Sequence, residues 1–249
     1  MNKLHFEQQG SGPKVLFVHG GEEAGGLTAF AAQTPLAQSF TLIMPDLPGH
    51  GQTPANGPVD ADEDADLVAE LLTEPMHLVG HSYGGSVAMR VAVKRPEMIR
   101  SLIVVEPSTI DIAADDPVVL QMLMEMVQAI QIPDLRERVI AFATVLGIHK
   151  EWPNPLSETY RLLAESLPTL GRPSASGLTT QDLTEKIVAA DIPSLVISGG
   201  HREAWEHICD RMAAALHAKR AVVTGFGHAP QQNGKDFNTC LGEFWAQIS

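Results

Sequence analysis

Short apolar runs alternate with longer amphipathic segments along most of the chain. The runs are rich in Val, Ile and Leu and predict strands at Leu4–Glu7, Val15–His19, Thr41–Pro45, Met76–Val79, Leu102–Glu106, Ser194–Ser198 and Arg220–Thr224. Several runs are apolar at every position, which is typical of parallel strands buried on both faces. Helical patterns lie between them, at Thr28–Gln38, Asp60–Leu72, Ser82–Arg95, Glu203–His217 and Lys235–Gln247. The alternation predicts an α/β fold, with a mostly parallel central sheet and helices on both faces.

One long stretch, from about Ser108 to Gln181, breaks this alternation. It contains no convincing strand pattern and instead has helical patterns at Pro117–Ile130, Asp134–Gly147 and Leu156–Leu167, separated by prolines. We interpret it as a helical cap inserted over the carboxyl edge of the sheet. The predicted domains are therefore a core of residues 1–107 and 182–249 and a cap of residues 108–181.

Composition narrows the class of protein. The 249 residues are 44% hydrophobic and 19% charged, which is ordinary for a soluble globular protein. The net charge of −13 argues against non-specific binding to nucleic acid or to an anionic membrane. Cys209 and Cys240 form no close-spaced pair, and no apolar run has the length of a membrane span. We expect a cytoplasmic protein with a small-molecule partner. Its oligomeric state stays open, a homodimer among the options.

The segment Gly80-His81-Ser82-Tyr83-Gly84 stands where a strand pattern ends and a helical pattern begins. Glycines on either side of the serine leave room for a sharp turn that holds Ser82 in a strained conformation with its hydroxyl exposed. The N-terminus of the following helix favours negative charge beside that hydroxyl. A phosphate-binding glycine loop is the alternative interpretation, and the strand-turn-helix context favours a nucleophile.

This arrangement resembles the nucleophile elbow of the α/β-hydrolase fold superfamily, and other motifs agree with it in the same chain order. Val18-His19-Gly20-Gly21 is similar to the family's HG turn. Met44–Thr53 is similar to its D-x-x-G-x-G-x-S turn, with Thr53 in place of the usual serine. The resemblance implies that the backbone N–H groups of Gly21 and Tyr83 form an oxyanion hole.

His228 is the predicted base, because a serine hydroxyl needs a neighbouring base to become a nucleophile. It lies in Gly225-Phe226-Gly227-His228, after the last predicted strand, and this loop resembles the family's catalytic histidine loop. By the same resemblance, His81 points away from the line of attack and His19 orders the oxyanion turn. No pair of histidines has zinc-ligand spacing on a helix, so we expect neither a metal nor a cofactor.

The acid of the triad is ambiguous in this sequence. Most of the family places an aspartate in the loop after the strand predicted at Ser194–Ser198, and Arg202 stands at that position here. Two carboxylates are left as candidates. Glu106, at the end of the preceding strand, is the preferred one, since some branches of the family use an acid there. Glu203, at the start of a helix, is the alternative.

These residues imply a serine hydrolase of the carboxylesterase type, acting through a Ser82-His228-acid triad and an acyl-enzyme. We expect a small or medium, largely apolar ester as substrate. The cap would choose it, with Met122, Met126 and Trp152 as candidate pocket residues, although an apolar stripe of this kind is more often core.

Other functions fit the same residues. An acyltransferase, a perhydrolase, a carbon–carbon bond hydrolase or a cofactor-free dioxygenase would use the same fold and triad. A small-molecule receptor that turns its ligand over slowly is an alternative from another class. Hydrolysis of a simple ester that is lost in Ser82→Ala would separate an enzyme from a receptor.

Overall fold

The computed structural model describes residues 3–169 and 174–248 and contains one seven-stranded sheet. The strands are β1 Phe6–Gly10, β2 Lys14–Val18, β3 Thr41–Pro45, β4 Met76–His81, β5 Ile99–Val105, β6 Ser194–Ser198 and β7 Lys219–Val222. Their order across the sheet is β1-β3-β2-β4-β5-β6-β7. β1 is antiparallel to β3, and every other pair is parallel. The predicted α/β fold class is confirmed.

Helices cover both faces of this sheet. They are α1 Gly26–Ala29, α2 Ala61–Ala69, α3 Tyr83–Lys94, α4 Pro117–Ile130, α5 Leu135–Leu146, α6 Glu158–Ser166, α7 Thr180–Ala189, α8 Glu203–Ala215 and α9 Gly234–Ala246. Within residues 3–169 and 174–248, none of the helices has the length and apolar character needed to cross a bilayer.

Successive residues of the central strands point into two separate cores. Val15 and Phe17 of β2 pack in a cluster that includes Phe237 of α9. Leu16 and Val18 of the same strand pack in the other cluster, with residues of α2, α3, α7 and α8. Because side chains alternate between the two faces of a strand, both faces of β2 are buried. This double burial is the physical reason for the continuous apolar runs in the sequence.

The structure departs from the sequence pattern at two helices. The segment predicted as one helix over Thr28–Gln38 is the short α1 followed by a 3₁₀ helix, Ala31–Gln38, that contains Pro35. Proline has no N–H to donate within an α-helix, which favours the irregular form. The helix α7 was not predicted. Its N-terminus is closed by a capping box between Thr179 and Asp182.

Helix α7 packs against the core of the sheet rather than with the cap. Its residues Leu183 and Ile187 are fully buried in the cluster that contains α3. The boundary predicted between residues 181 and 182 therefore falls inside α7, which begins at Thr180.

The segment predicted as a cap contains α4, α5 and α6, between β5 and α7; residues 170–173 of that segment lie outside the described part of the chain. The Asp116 carboxylate caps α4 by accepting hydrogen bonds from the N–H groups of Val118 and Val119. Helix α5 ends at Gly147, which has a left-handed φ of 84°. A third apolar cluster joins these helices to α8 and includes Met122, Phe142, Leu146, Trp205 and Ile208.

Gly84, in the first turn of α3, allows that helix to approach β2 closely. A Cβ at Gly84 would lie 2.3 Å from the carbonyl oxygen of Val18. We expect Gly84→Ala to destabilise the protein by roughly 1–3 kcal/mol, because the backbone must shift to relieve the clash. Gly242→Ala in α9 is the matched control, since a Cβ there meets nothing within 4 Å. It should be neutral or stabilising by up to about 1 kcal/mol. Urea unfolding of both variants measures the difference, and equal effects would contradict the predicted clash.

Candidate active site

Ser82 occupies the sharp turn between β4 and α3. Its backbone has a φ of 52° and a ψ of −120°, a strained conformation for a residue with a side chain. The turn is fixed to the end of β5, because the Ser82 N–H donates to the carbonyl of Val105 at 2.9 Å and the Ser82 carbonyl accepts from Ser108 N–H at 3.0 Å. Gly80 is required here, since a Cβ at this position would lie 2.3 Å from the Gly84 carbonyl oxygen.

His228 lies beside this serine, in the loop between β7 and α9. Its Nε2 is 2.9 Å from Ser82 Oγ, and its Nδ1 is 2.6 Å from Oε2 of Glu106. A carboxylate only accepts hydrogen bonds, so Nδ1 carries the proton and Nε2 presents its lone pair to the Ser82 hydroxyl. The imidazole is fully buried and packs on the indole of Trp205, with ring centroids 4.6 Å apart.

Glu106 follows β5 and is fully buried, with a left-handed φ of 41°. Its second carboxylate oxygen, Oε1, accepts a hydrogen bond of 2.6 Å from the N–H of Gly199. Burial alone would raise the pKa of Glu106, but its interactions with His201 and His228 outweigh burial and lower the pKa to about 2. The carboxylate is therefore ionised at neutral pH beside the imidazole.

The structure brings Glu106, rather than Glu203, to His228. The Glu203 side chain is 72% exposed in the first turn of α8, and its carboxylate is 3.8 Å from His207. Arg202, at the position where the family usually has an aspartate, points toward the cap instead. Its guanidinium donates to the carbonyl of Val145 at 2.5 Å.

His19 orders the turn that carries Gly21. Its Nδ1–H donates to the carbonyl of Gly20 at 2.7 Å, and its Nε2 accepts from the N–H of Leu47 at 3.0 Å. Burial lowers the pKa of His19 to about 3, so the ring stays neutral and keeps this tautomer. Because a trans peptide points its C=O and N–H in opposite directions, holding the Gly20 carbonyl also sets the direction of the Gly21 N–H.

Gly21 and Tyr83, the two residues predicted to form an oxyanion hole, lie next to each other. A Cβ placed on Gly21 would be 4.0 Å from the Cβ of Tyr83. Tyr83 is the first residue of α3, so its N–H has no acceptor within that helix. The Tyr83 hydroxyl donates a hydrogen bond of 2.7 Å to Asp64, which holds the Tyr83 side chain toward α2. Both backbone N–H groups thus belong to turns adjoining Ser82.

Glu22 and His81 form a second buried pair at this site. His81 Nε2–H donates to the backbone carbonyl of His228 at 2.6 Å, and Glu22 Oε1 is 3.5 Å from His81 Nδ1. Together with His228 they are a set with metal-ligand chemistry, their donor atoms lying within 4.8 Å of one another. Two of these donors already have hydrogen-bond partners: Ser82 at His228 Nε2 and Gln231 at His81 Nδ1.

The candidate pocket residues lie in the cap. Met122 is fully buried in the cluster with Trp205, and Met126 packs on that cluster with partial exposure. The ring of Trp152 is 5.0 Å from that of Tyr160, with Lys150 Nζ 4.6 Å from the indole centroid. These contacts make Met122 a core residue and leave Trp152 at the edge of the cap.

Helix α6 packs over the turn at Gly21, close to Ser82. Leu163 of α6 lies 3.8 Å from a Cβ placed on Gly21, so this helix covers the oxyanion turn. Ser82 itself is only 6% exposed. The hydroxyl therefore lies in an almost closed site.

Sequence reasoning missed two contacts to the triad. The indole of Trp205 supports the imidazole of His228, and His201 Nδ1 is 3.4 Å from Glu106 Oε1; neither contact was predicted. Both residues belong to the segment from the end of β6 to the first turns of α8. The unusual Arg202 in that loop was the one signal that its role differs from the family's usual pattern.

This chain is similar in sequence to a known protein family and to several of its members. A model of the alpha/beta hydrolase family matches residues 15–239. A pimeloyl-[acyl-carrier protein] methyl ester esterase of Chromobacterium violaceum is 41% identical over 105 residues, which cover 42% of this chain and 41% of that protein. Lipase LipV of Mycobacterium tuberculosis is 35% identical over 112 residues, 42% of each chain. The chain therefore matches about two fifths of the length of these relatives.

Solved structures agree on the fold. An esterase from Thermogutta terrifontis superposes with a TM-score of 0.67 at 21% identity, over 98% of this chain and 93% of its own. At this level of identity the likeness concerns the arrangement of strands and helices alone.

The low pKa of Glu106 predicts a pH-dependent contribution to stability. A carboxyl group with a lower pKa in the folded state stabilises the fold above its unfolded pKa and loses that contribution as pH falls through the folded pKa. For Glu106 this window runs from 4.5 down to about 2. We expect the difference in unfolding free energy between wild type and Glu106→Gln to shrink across it, measured by urea unfolding at several pH values. Glu203→Gln, which alters an exposed carboxylate, should differ little from wild type at every pH. A constant Glu106→Gln difference would contradict the low pKa.

Proposed function

Because the chain belongs to the alpha/beta hydrolase family, we propose that it is a serine hydrolase that cleaves carboxylic esters through Ser82, His228 and Glu106. The observation that carries this proposal is the continuous hydrogen-bond chain from Ser82 Oγ to His228 Nε2 at 2.9 Å and from His228 Nδ1 to Glu106 Oε2 at 2.6 Å. Nucleophile, base and orienting acid are the three parts that acyl transfer through a serine needs.

In the proposed reaction, His228 Nε2 removes the proton from Ser82 Oγ as the oxygen attacks the ester carbonyl carbon. Glu106 stabilises the imidazolium that forms. The tetrahedral oxyanion accepts hydrogen bonds from the N–H groups of Gly21 and Tyr83, each typically worth about 3 kcal/mol in the transition state. The imidazolium then protonates the leaving alcohol, and an acyl-enzyme forms. Water activated by His228 releases the acid and restores Ser82.

The proposed substrate is a small or medium, largely apolar ester, and α4 to α6 form the cap that selects it. Support comes from the apolar residues of the cap that pack around Trp205, which itself packs on His228. The relatives named as a methyl ester esterase and a lipase act on the same type of bond. The compartment that we propose is the cytoplasm, in keeping with two free cysteines.

A panel of p-nitrophenyl esters of increasing acyl length tests the activity. We expect wild type to hydrolyse the shorter esters and to be labelled by a fluorophosphonate, because the activated Ser82 hydroxyl attacks both. Ser82→Ala should lose labelling and at least about a thousandfold in kcat. Tight ligand binding without turnover in wild type would instead favour the receptor alternative, and undiminished turnover in Ser82→Ala would remove this serine from the mechanism.

The two candidate acids give a matched pair of variants for kinetics. Glu106→Gln should lower kcat by roughly 10³- to 10⁴-fold, because an amide neither fixes the Nδ1–H tautomer of His228 nor stabilises its charged form. Glu203→Gln makes the same chemical change at an exposed position and should leave kcat within about twofold of wild type. A large loss in Glu203→Gln together with a mild one in Glu106→Gln would reverse the assignment of the acid.

A further inference from the structure

His201, in the loop between β6 and α8, has one hydrogen bond, at Nε2, and a carboxylate oxygen at ion-pair distance from Nδ1. Its Nε2 is 3.0 Å from the backbone carbonyl oxygen of Leu146, the last residue of cap helix α5. Its Nδ1 is 3.4 Å from Oε1 of Glu106. The ring thus stands between the cap and the buried carboxylate.

A neutral imidazole cannot satisfy both of these partners. It carries one N–H, and its other nitrogen is a lone pair. The Leu146 carbonyl and the ionised Glu106 carboxylate can only accept, so either neutral tautomer would leave an unprotonated nitrogen beside an oxygen. The imidazolium donates from Nε2 to Leu146 and places its positive charge, through Nδ1, 3.4 Å from the Glu106 carboxylate, although Nδ1 is not aligned for a hydrogen bond.

From this arrangement we propose that His201 is held as an imidazolium and acts as a positioning residue, joining the Glu106 carboxylate to the C-terminal end of cap helix α5. Its effect on catalysis rests on the function proposed above, whereas its charge and its two contacts do not.

The charges around His201 agree with a cation. Burial lowers its pKa, but the hydrogen bond and charge of Glu106, the Leu146 carbonyl and the nearby Glu206 of α8 raise it, and the net shift is upward. Two cationic or basic groups face it as well: Arg202 next in the chain and the ring of His228, with a centroid 6.4 Å from that of His201. A solvent-facing groove of about 560 Å³ lined in part by His149 and His201 lets the ring exchange protons with water.

Arg202 complements this contact on the same helix end. It donates to the carbonyl of Val145 and pairs with Glu125 of α4. The free carbonyls at the C-terminus of a helix carry partial negative charge, which favours cations beside them. The last turn of α5 is thus held by two neighbouring basic residues of one loop.

Gly147 makes the approach of His201 to α5 possible. A Cβ at Gly147 would lie 2.4 Å from Cδ2 of His201. The same glycine has the left-handed φ of 84° that ends the helix. The helix terminus and the imidazole therefore fit only because position 147 has no side chain.

This arrangement explains the departure at Arg202. Where the loop after β6 supplies the triad acid, it must carry an aspartate. Here the acid lies at the end of β5, so the loop is free to carry basic residues that bind the cap and the carboxylate. The predicted consequence is that a cation beside the Glu106–His228 pair extends activity to lower pH.

Nuclear magnetic resonance of ¹⁵N-histidine-labelled protein tests the charge without any need for activity. We expect both ring nitrogens of His201 to show protonated shifts at pH 7, with the signals assigned by their loss in His201→Gln. A neutral tautomer of His201 at pH 7 would overturn the proposal, whatever the protein's enzymatic activity.

The pH dependence of kcat/KM tests the coupling to the triad. In His201→Gln the acidic limb should move upward by about half to one pH unit, since the opposing charge is gone. His201→Lys, which keeps a cation, should restore the limb toward its wild-type position. His207→Gln is the matched control, because His207 contacts Asp116 at 2.9 Å in the same way but lies away from the triad. An unchanged limb in His201→Gln would overturn the coupling.

Thermal unfolding tests the charge of His201 without relying on enzymatic activity, so it is independent of the proposed function. A histidine whose pKa is raised in the folded state stabilises the fold below its unfolded pKa and loses that contribution as pH rises through the folded pKa. The Tm difference between wild type and His201→Gln should therefore be largest near pH 6 and shrink as the pH rises. If Ser82→Ala shows that the protein has no esterase activity, this readout and the nitrogen shifts still decide the charge of His201. A Tm difference independent of pH would count against it.

Discussion

The negative charge on the fully buried carboxylate of Glu106 imposes the arrangement of the residues around it. An ionised carboxylate removed from water is very costly unless hydrogen bonds and opposite charge replace the lost hydration. Here the N–H of Gly199 and the rings of His228 and His201 supply these interactions. The ends of β5 and β6 and the loop before α9 converge because they carry this carboxylate or its partners, and the last turn of α5 is joined to them through the contact of His201 with Leu146.

The fold could be predicted from the sequence because strands that are buried on both faces have continuous apolar runs. Strands such as β3 and β6 are buried at every position, and their apolar runs were located to the residue, at Thr41–Pro45 and Ser194–Ser198. The edge strands were placed less accurately. β1 alternates between exposed and partly buried positions, so its mixed sequence gave weaker signals for its limits, and it extends to Gly10 rather than ending at Glu7. Helix α7 was missed although Thr179 and Asp182 have the spacing of a capping box.

The residues of the candidate site also differ in how well the sequence predicted them. Ser82 and His228 could be identified because their turns need glycines at fixed offsets, and such local demands appear in a short stretch of sequence. The sequence could give only a preference for Glu106 over Glu203, since the assignment depends on which carboxylate the fold brings to the imidazole of His228. His201 could not be recognised for a related reason. Its role comes from contacts to Leu146 and Glu106, and no local pattern records contacts between distant segments.

The near-complete burial of Ser82 affects how a ligand reaches its hydroxyl. With Leu163 of α6 against the turn at Gly21 and Ser82 almost buried, a small motion of this helix would widen the approach of a ligand to the hydroxyl. The rate of such a motion would then limit how fast a ligand reaches the hydroxyl. Discrimination among molecules can then arise at the entrance, before chemistry begins.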